Sequence, residues 1–168
     1  MIIELESIFN TEGLRHSFDY ELDLSAIQVS GYSPIQKPVK VSGCVENKAG
    51  IVSLTGNAQL VYEAPCDRCA TEVSKEYNYP LEHTLVVALE SGENDAFLEV
   101  PNMRLNLDEL VEEDVNLALP SKYLCDEDCK GLCMKCGKNL NDGQCNCKKD
   151  VDPRFAALLD LLDEEESN

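Results

Sequence analysis

The residues of this chain best suited to chemistry are its cysteines. Nine occur in 168 residues, and eight of them are clustered. Six follow the pattern Cys125-x3-Cys129-x3-Cys133-x2-Cys136-x8-Cys145-x-Cys147. Two more form the knuckle Cys66-Asp67-Arg68-Cys69, and Cys44 stands apart. Eight thiolates can fill two tetrahedral four-sulfur sites. In such a site Zn–S bonds near 2.3 Å put the sulfurs about 3.5–4 Å apart. A closed four-thiolate site builds a rigid platform and leaves no open position for a substrate. The spacing therefore points to binding or assembly before catalysis.

Cys133-Met134-Lys135-Cys136-Gly137 is a metal knuckle. Two intervening residues let both sulfurs reach one ion, and the glycine lets the backbone turn back to donate N–H groups to sulfur. Cys145 and Cys147 lie beyond a stretch rich in turn formers (Asn139, Asn141, Asp142, Gly143). A site of Cys133, Cys136, Cys145 and Cys147 closes only a short loop, which is entropically easy. The remaining Cys66, Cys69, Cys125 and Cys129 would make a second site joining the upstream knuckle to the start of the tail. Spacing leaves this partition open. Cys129 could instead serve the downstream site, and Cys125, Cys129 and Cys133 also fit successive helical turns. Cys44 reads as a small hydrophobe.

Disulfides need an oxidising compartment. The start, MIIELESIFNTEGLRHSF, has no basic lead, no useful apolar run and no small-residue cleavage site, so it does not read as a signal peptide. No apolar run approaches the ~18 residues of a membrane span. The expectation is a cytoplasmic chain with reduced, metal-binding thiols.

Enzyme signatures are lacking. The two histidines, His16 and His83, fall in expected strands away from the cysteines. There is no G-x-S-x-G, Walker loop or G-x-G-x-x-G. Cys66-x2-Cys69 does not open a helix, so a thioredoxin-type nucleophile is not expected. No catalytic residue and no small-molecule substrate are assigned.

These cysteines need elements to hold them. From Pro38 to about Leu89 the hydrophobic period is two. Val39, Val41, Gly43 and Val45 alternate with polar positions, Asn47-Lys48-Ala49-Gly50 reads as a hairpin turn, and Ile51–Ala64 as a long strand. Pro65 to Cys69 then reverses the chain, so the first knuckle sits at a hairpin tip. Thr71 to about Leu89 forms a third extended segment, which Pro80 breaks or places at an edge. His16–Leu22 alternates like a strand, residues 91–95 read as a polar loop, and Phe97–Val100 as a short strand. Asn106 opens a helix to Leu119, with Glu109 completing a capping box. Asp152-Pro153 begins a short C-terminal helix with Phe155, Leu158, Leu159 and Leu162 on one face. The expected fold class is α+β: an antiparallel sheet and covering helix over residues 1–120, a cysteine-rich zinc-knuckle segment over 121–150, and a short helix with an acidic tail over 151–168.

The formal net charge is −18. That opposes simple nucleic-acid binding, since phosphate affinity comes from clustered Lys and Arg. Most of the acid reads as solvated surface. Lys122, Lys130, Lys135, Lys138, Lys148 and Lys149 all fall in the cysteine segment, six of fourteen basic residues. They can offset thiolate charge or touch RNA.

The run Leu119-Pro120, Cys125, Cys129-Lys130-Gly131-Leu132-Cys133, Cys136-Gly137, Asn139-Leu140-Asn141, Cys145-Asn146-Cys147 and Asp152-Pro153-Arg154 resembles the YceD family. So do the upstream Cys66-Asp67-Arg68-Cys69 and the helix Leu107-Asp108-Glu109-Leu110. The resemblance covers essentially the whole chain. It implies a bacterial cytoplasmic protein with plastid relatives, metal-binding, and linked to accumulation of large-subunit ribosomal RNA. The expected function is a non-enzymatic ribosome-assembly factor holding one or two zinc ions. Its partner would be precursor rRNA or a basic ribosomal protein. A redox-responsive zinc switch or chaperone is the alternative, because paired CxC and CxxC motifs can release zinc on oxidation. An iron-bearing electron carrier also fits four cysteines.

Overall fold

The computed structural model describes residues 1–88 and 96–147. The expected polar loop over 91–95, the helix after Asp152-Pro153, Lys148 and Lys149 lie outside the described residues.

Alternation of apolar and polar residues builds the central sheet. It contains β2 (Arg15–Leu22), β3 (Val39–Lys48), β4 (Ile51–Pro65), β5 (Glu72–Val86) and β6 (Leu98–Glu99), in that spatial order. The first four strands pair antiparallel. The short β6 pairs parallel with β5, at Leu85↔Leu98 and Val86↔Glu99, so the sheet is mixed where a purely antiparallel one was expected. A strand of two residues carries too little period to announce its direction.

One face of the sheet is dry. Val39, Val41 and Val45 of β3 and Val52, Leu54, Ala58, Leu60 and Tyr62 of β4 are buried there. Burying each large apolar side chain contributes about 1.5–3 kcal/mol. At its centre Gly43 pairs with Gly56, and the Phe18 ring lies over the gap. A Cβ on Gly43 would stand 2.4 Å from the Thr55 carbonyl oxygen and 2.7 Å from that ring.

The helix α2 (Leu107–Ala118) places buried Leu107, Leu110, Val111 and Val115 against this core, while Leu117 is exposed. His83 on β5 meets Asp114 on α2, Nε2 to Oδ2, at 2.7 Å. Asn106 stands at the N-cap position, but its side chain makes no capping bond. Asn106 also ends a strand, β7 (Arg104–Asn106), which pairs with β1 (Ile2–Glu4), and the Leu107 N–H donates to the Met1 carbonyl at 2.9 Å. The strand pair thus takes up the first helical N–H, and the expected capping box is not formed by Asn106. A short helix, α1 (Glu6–Asn10), follows β1. Buried Asn47 holds its end, donating from Nδ2 to the Ile8 carbonyl at 2.8 Å.

The hairpin β4–β5 runs past the end of β3, since the last β3 residues to pair with β4 reach only Gln59. This overhang carries the first knuckle. Pro80 sits within β5 opposite Asn57, beyond the reach of β6. The strand therefore runs through it at an open edge, where its missing N–H leaves no ladder bond unmade.

Candidate metal centre

The knuckle Cys66–Cys69 occupies the β4–β5 turn. Cys66 N–H donates to the Thr71 carbonyl at 2.9 Å, and Ala70 N–H returns to the Cys66 carbonyl at 2.8 Å. Ala70 adopts a left-handed φ of 56° to do so. The second knuckle repeats this geometry. Gly137, at φ 71°, donates to the Cys133 carbonyl at 2.9 Å. Glycine takes that conformation without strain, whereas alanine takes it at a cost of about 1–2 kcal/mol. The first knuckle tolerates the alanine in a turn closed by strands on both sides.

After α2 the chain crosses back to the hairpin tip. Tyr123 is the anchor. Its ring is buried against Tyr62, with centroids 4.7 Å apart, and Lys75 Nζ sits 5.6 Å from the ring centre. Its hydroxyl lies 3.0 Å from the Tyr62 carbonyl and 3.1 Å from that of Val73. Burial, with the neighbouring Tyr77 and Tyr62, pushes this hydroxyl up to about 12, so it stays a donor. Asp67 fixes the backbone from the other side. Its N–H donates to the Tyr123 carbonyl at 2.9 Å and its carboxylate accepts the Tyr123 N–H at 2.6 Å. Lys75 Nζ donates to the Leu124 carbonyl and Arg68 to the Cys129 carbonyl, both at 2.8 Å.

This docking brings Cys125 and Cys129 onto the hairpin knuckle. Sγ of Cys66 lies 3.8 Å from that of Cys129, and Sγ of Cys69 lies 3.6 Å from that of Cys125. All four sulfurs of Cys66, Cys69, Cys125 and Cys129 lie within 4.8 Å of one another, as do those of Cys133, Cys136, Cys145 and Cys147. The inner quartet is mostly buried, whereas in the outer one Cys133 and Cys145 are half-buried and Cys136 and Cys147 are exposed. Cys44 joins neither group. It is buried on the opposite face, with Sγ 3.5 Å from Thr55 Oγ1.

Electrostatics within each quartet are uneven. Burial pushes the Cys66 thiol up, but backbone N–H groups of Cys125, Arg68 and Cys69 overcome this and bring it down to about 6. N–H groups of Cys136 and Lys135 bring Cys133 down to about 6. The Asn141 amide, followed by the Gly131 N–H, lowers Cys129. Sulfur neighbours do the reverse elsewhere. Cys129 and Cys69 push Cys125 up to about 12, and Cys136 and Cys133 push Cys147 up to about 12. Without a cation the last thiols of each quartet cannot ionise beside their neighbours. A soft divalent ion removes that conflict, and the 3.8 and 3.6 Å separations in the inner quartet match the edge of a tetrahedron with bonds near 2.3 Å. The residues present fit such an ion in both places.

Three contributors escaped the sequence reading. Sequence pattern does not mark Tyr123 or Asp67 as supports, and it marks Asn141 only as a turn former. The signal available was slight: an aromatic residue two positions before the first tail cysteine.

The fold and the site define a class first, a mixed β-sheet protein whose hairpin tip receives a cysteine-rich tail in two four-sulfur clusters. Comparison with known proteins supplies the family. The family model described as Large ribosomal RNA subunit accumulation protein YceD matches residues 54–162, more than half of the chain, and the chain belongs to that family. An uncharacterized protein of Mycobacterium leprae is 28% identical over 133 residues, covering 74% of this chain and 59% of the relative. An uncharacterized protein of Mycobacterium tuberculosis is 28% identical over 125 residues, covering 72% and 60%. Large ribosomal RNA subunit accumulation protein YCED homolog 1, chloroplastic, of Arabidopsis thaliana is 26% identical over 162 residues, covering 78% and 50%. The chain thus spans 60% or less of the length of these relatives. No solved structure matches. Among the described residues no helix is long and apolar enough to cross a membrane.

Proposed function

We propose that this protein is a non-enzymatic, cytoplasmic factor in assembly of the large ribosomal subunit. In this reading it holds two zinc ions, one in Cys66, Cys69, Cys125 and Cys129 and one in Cys133, Cys136, Cys145 and Cys147. The sheet unit over residues 1–120 is the platform, and the segment 121–150 is the metal-braced tail that meets the partner. The carrying observation is the pair of four-sulfur clusters in a chain of the YceD family.

The partner we favour is a basic ribosomal protein, because a net charge of −18 attracts cationic proteins and repels free RNA. Direct contact with precursor rRNA is the second reading. It is favoured by Arg68, Lys130, Lys135 and Lys138, which sit exposed around the clusters. A redox-responsive switch finds support in the exposure of Cys136 and Cys147.

Depletion of the protein from cells should lower large-subunit rRNA relative to small-subunit rRNA, and re-expression of the wild type should restore it. Purified wild type should carry two zinc ions per chain by elemental analysis, and Cys66→Ser only one. An unchanged rRNA ratio would overturn the assembly role. A wild-type stoichiometry of one or none would overturn the two-site assignment.

A further inference from the structure

A side chain from the loop of the outer quartet reaches the inner one. The loop between Cys136 and Cys145 folds back across the tail. Leu140 N–H donates to the Gly131 carbonyl at 2.9 Å, Cys133 N–H to the Lys138 carbonyl at 2.9 Å, and Asn141 N–H to Asn139 Oδ1 at 3.0 Å. Lys138 Nζ closes the far side on the Gln144 carbonyl at 3.0 Å. This loop presents the Asn141 side chain to the inner quartet. Asn141 Oδ1 accepts the Lys130 N–H at 2.7 Å, and Nδ2 donates to Cys129 Sγ at 3.3 Å. The orientation of the amide is settled by its partners, because a backbone N–H can only donate and so must face the oxygen.

The same region ties the loop to the hairpin. Leu132 N–H donates to the Arg68 carbonyl at 3.2 Å. Gly131, at φ 74°, lets the tail pass so close that a Cβ there would stand 3.0 Å from the same oxygen. The loop that carries Asn141 begins at one outer-quartet cysteine and ends at another. An ion that holds those two sulfurs together would close the loop at both ends.

We propose that Asn141 is a positioning residue that couples the two metal sites: filling the outer quartet fixes the 137–144 loop, which holds the Asn141 amide on Cys129 and tightens metal binding by the inner quartet. The inference rests on the reading that both quartets bind metal. Hydrogen bonds to a ligating atom orient it and tune its donor strength, and their loss typically weakens metal binding by about 10–100-fold. Coupling of this kind is reciprocal. Emptying the inner quartet must weaken the outer one by the same factor.

The test uses the full chain and cobalt(II) as the probe, read from its thiolate charge-transfer absorption. Wild type should take two ions. Asn141→Ala should weaken the inner site by about tenfold or more. Asn141→Asp keeps the oxygen that Lys130 needs but loses the donor, and should weaken it likewise. Cys136→Ser/Cys145→Ser, which silences the outer quartet, should weaken the inner site by the same factor. Adding Asn141→Ala to that variant should cost nothing more, because both changes remove one interaction.

A second measurement does not depend on affinity. With cadmium-113 in both sites, Asn141→Ala should move only the inner resonance. Inner-site affinity unchanged in Asn141→Ala, or independent losses in the combined variant, would overturn the coupling while leaving two metal sites standing. A wild type that takes one ion would overturn the coupling and the two-site reading together.

Discussion

Removing a single oxygen from Tyr123 should loosen the tail whether or not metal is bound. The Tyr123 side chain is 4% exposed, and its hydroxyl lies between the carbonyl oxygens of Tyr62 and Val73 at 3.0 and 3.1 Å. In Tyr123→Phe the ring keeps its contact with Tyr62, 4.7 Å between centroids, and its place beneath Lys75. The packing contribution is therefore retained, and the loss is that of one donor serving two carbonyls. A buried polar group left without its partner costs about 1–3 kcal/mol. Taking about 2 kcal/mol, and about 2–4 °C per kcal/mol for a chain of this size, Tm should fall by roughly 4–8 °C. Tyr32→Phe is the control. Tyr32 is 54% exposed, and its change should stay within about 0.5 kcal/mol. The assay is calorimetric unfolding of metal-loaded and chelator-treated protein. Tyr123 anchors the tail through sheet carbonyls and not through sulfur, so the drop should appear in both preparations. A Tyr123→Phe protein that melts with the wild type, or one that differs only when metal-loaded, would refute the anchor.

Two further outcomes follow from the knuckles. Gly137→Ala places alanine in the conformation that Ala70 already adopts in the first knuckle, and nothing lies within 4 Å of the new Cβ. It should cost about 1 kcal/mol, seen as roughly fivefold weaker cobalt binding at the outer quartet; complete loss of binding there would show that the two knuckles are not equivalent. In chelator-treated protein the Cys133 thiol, lowered from 9.0 to about 6, should be alkylated by iodoacetamide with a midpoint near pH 6. The sign is that of a depressed acid: the stability contributed by this thiolate is complete above pH 9 and is lost as pH falls through about 6. A labelling midpoint near that of a free thiol would mean that the Lys135 and Cys136 N–H groups do not point at this sulfur.

Much of the architecture was legible in the chain because it is local. A period of two over Val39–Leu60 requires a half-buried strand whatever lies beside it, and two cysteines two residues apart after Pro65 require a turn. The helix beginning at Leu107 follows from the spacing of Leu107, Leu110, Val111 and Val115, all of which are buried. Other features depended on partners far away in sequence. Asn106 looked like a helix cap, yet its side chain makes no capping bond, and the first helical N–H, that of Leu107, instead reaches the Met1 carbonyl beside the strand pair with Ile2. The direction of β6 was invisible in two residues. Pro80 could have ended a strand or marked an edge, and only the shortness of β6 placed it at an edge.

The sequence by itself determined the donor chemistry of this protein: eight clustered thiols, and a tail able to close Cys133, Cys136, Cys145 and Cys147 over a short loop. Tertiary structure alone decided which sulfurs stand next to Cys66 and Cys69. Spacing measures only how far a chain can reach, and Cys129 could have reached either group. Its place beside Cys66 at 3.8 Å follows from contacts without a sequence period. They are Tyr123 under the β4–β5 overhang, Asp67 and Arg68 on the tail backbone, and the Asn141 amide on its sulfur. Each is a single polar or aromatic group whose partner lies elsewhere in the chain, so its meaning appears only once the chain has folded around it.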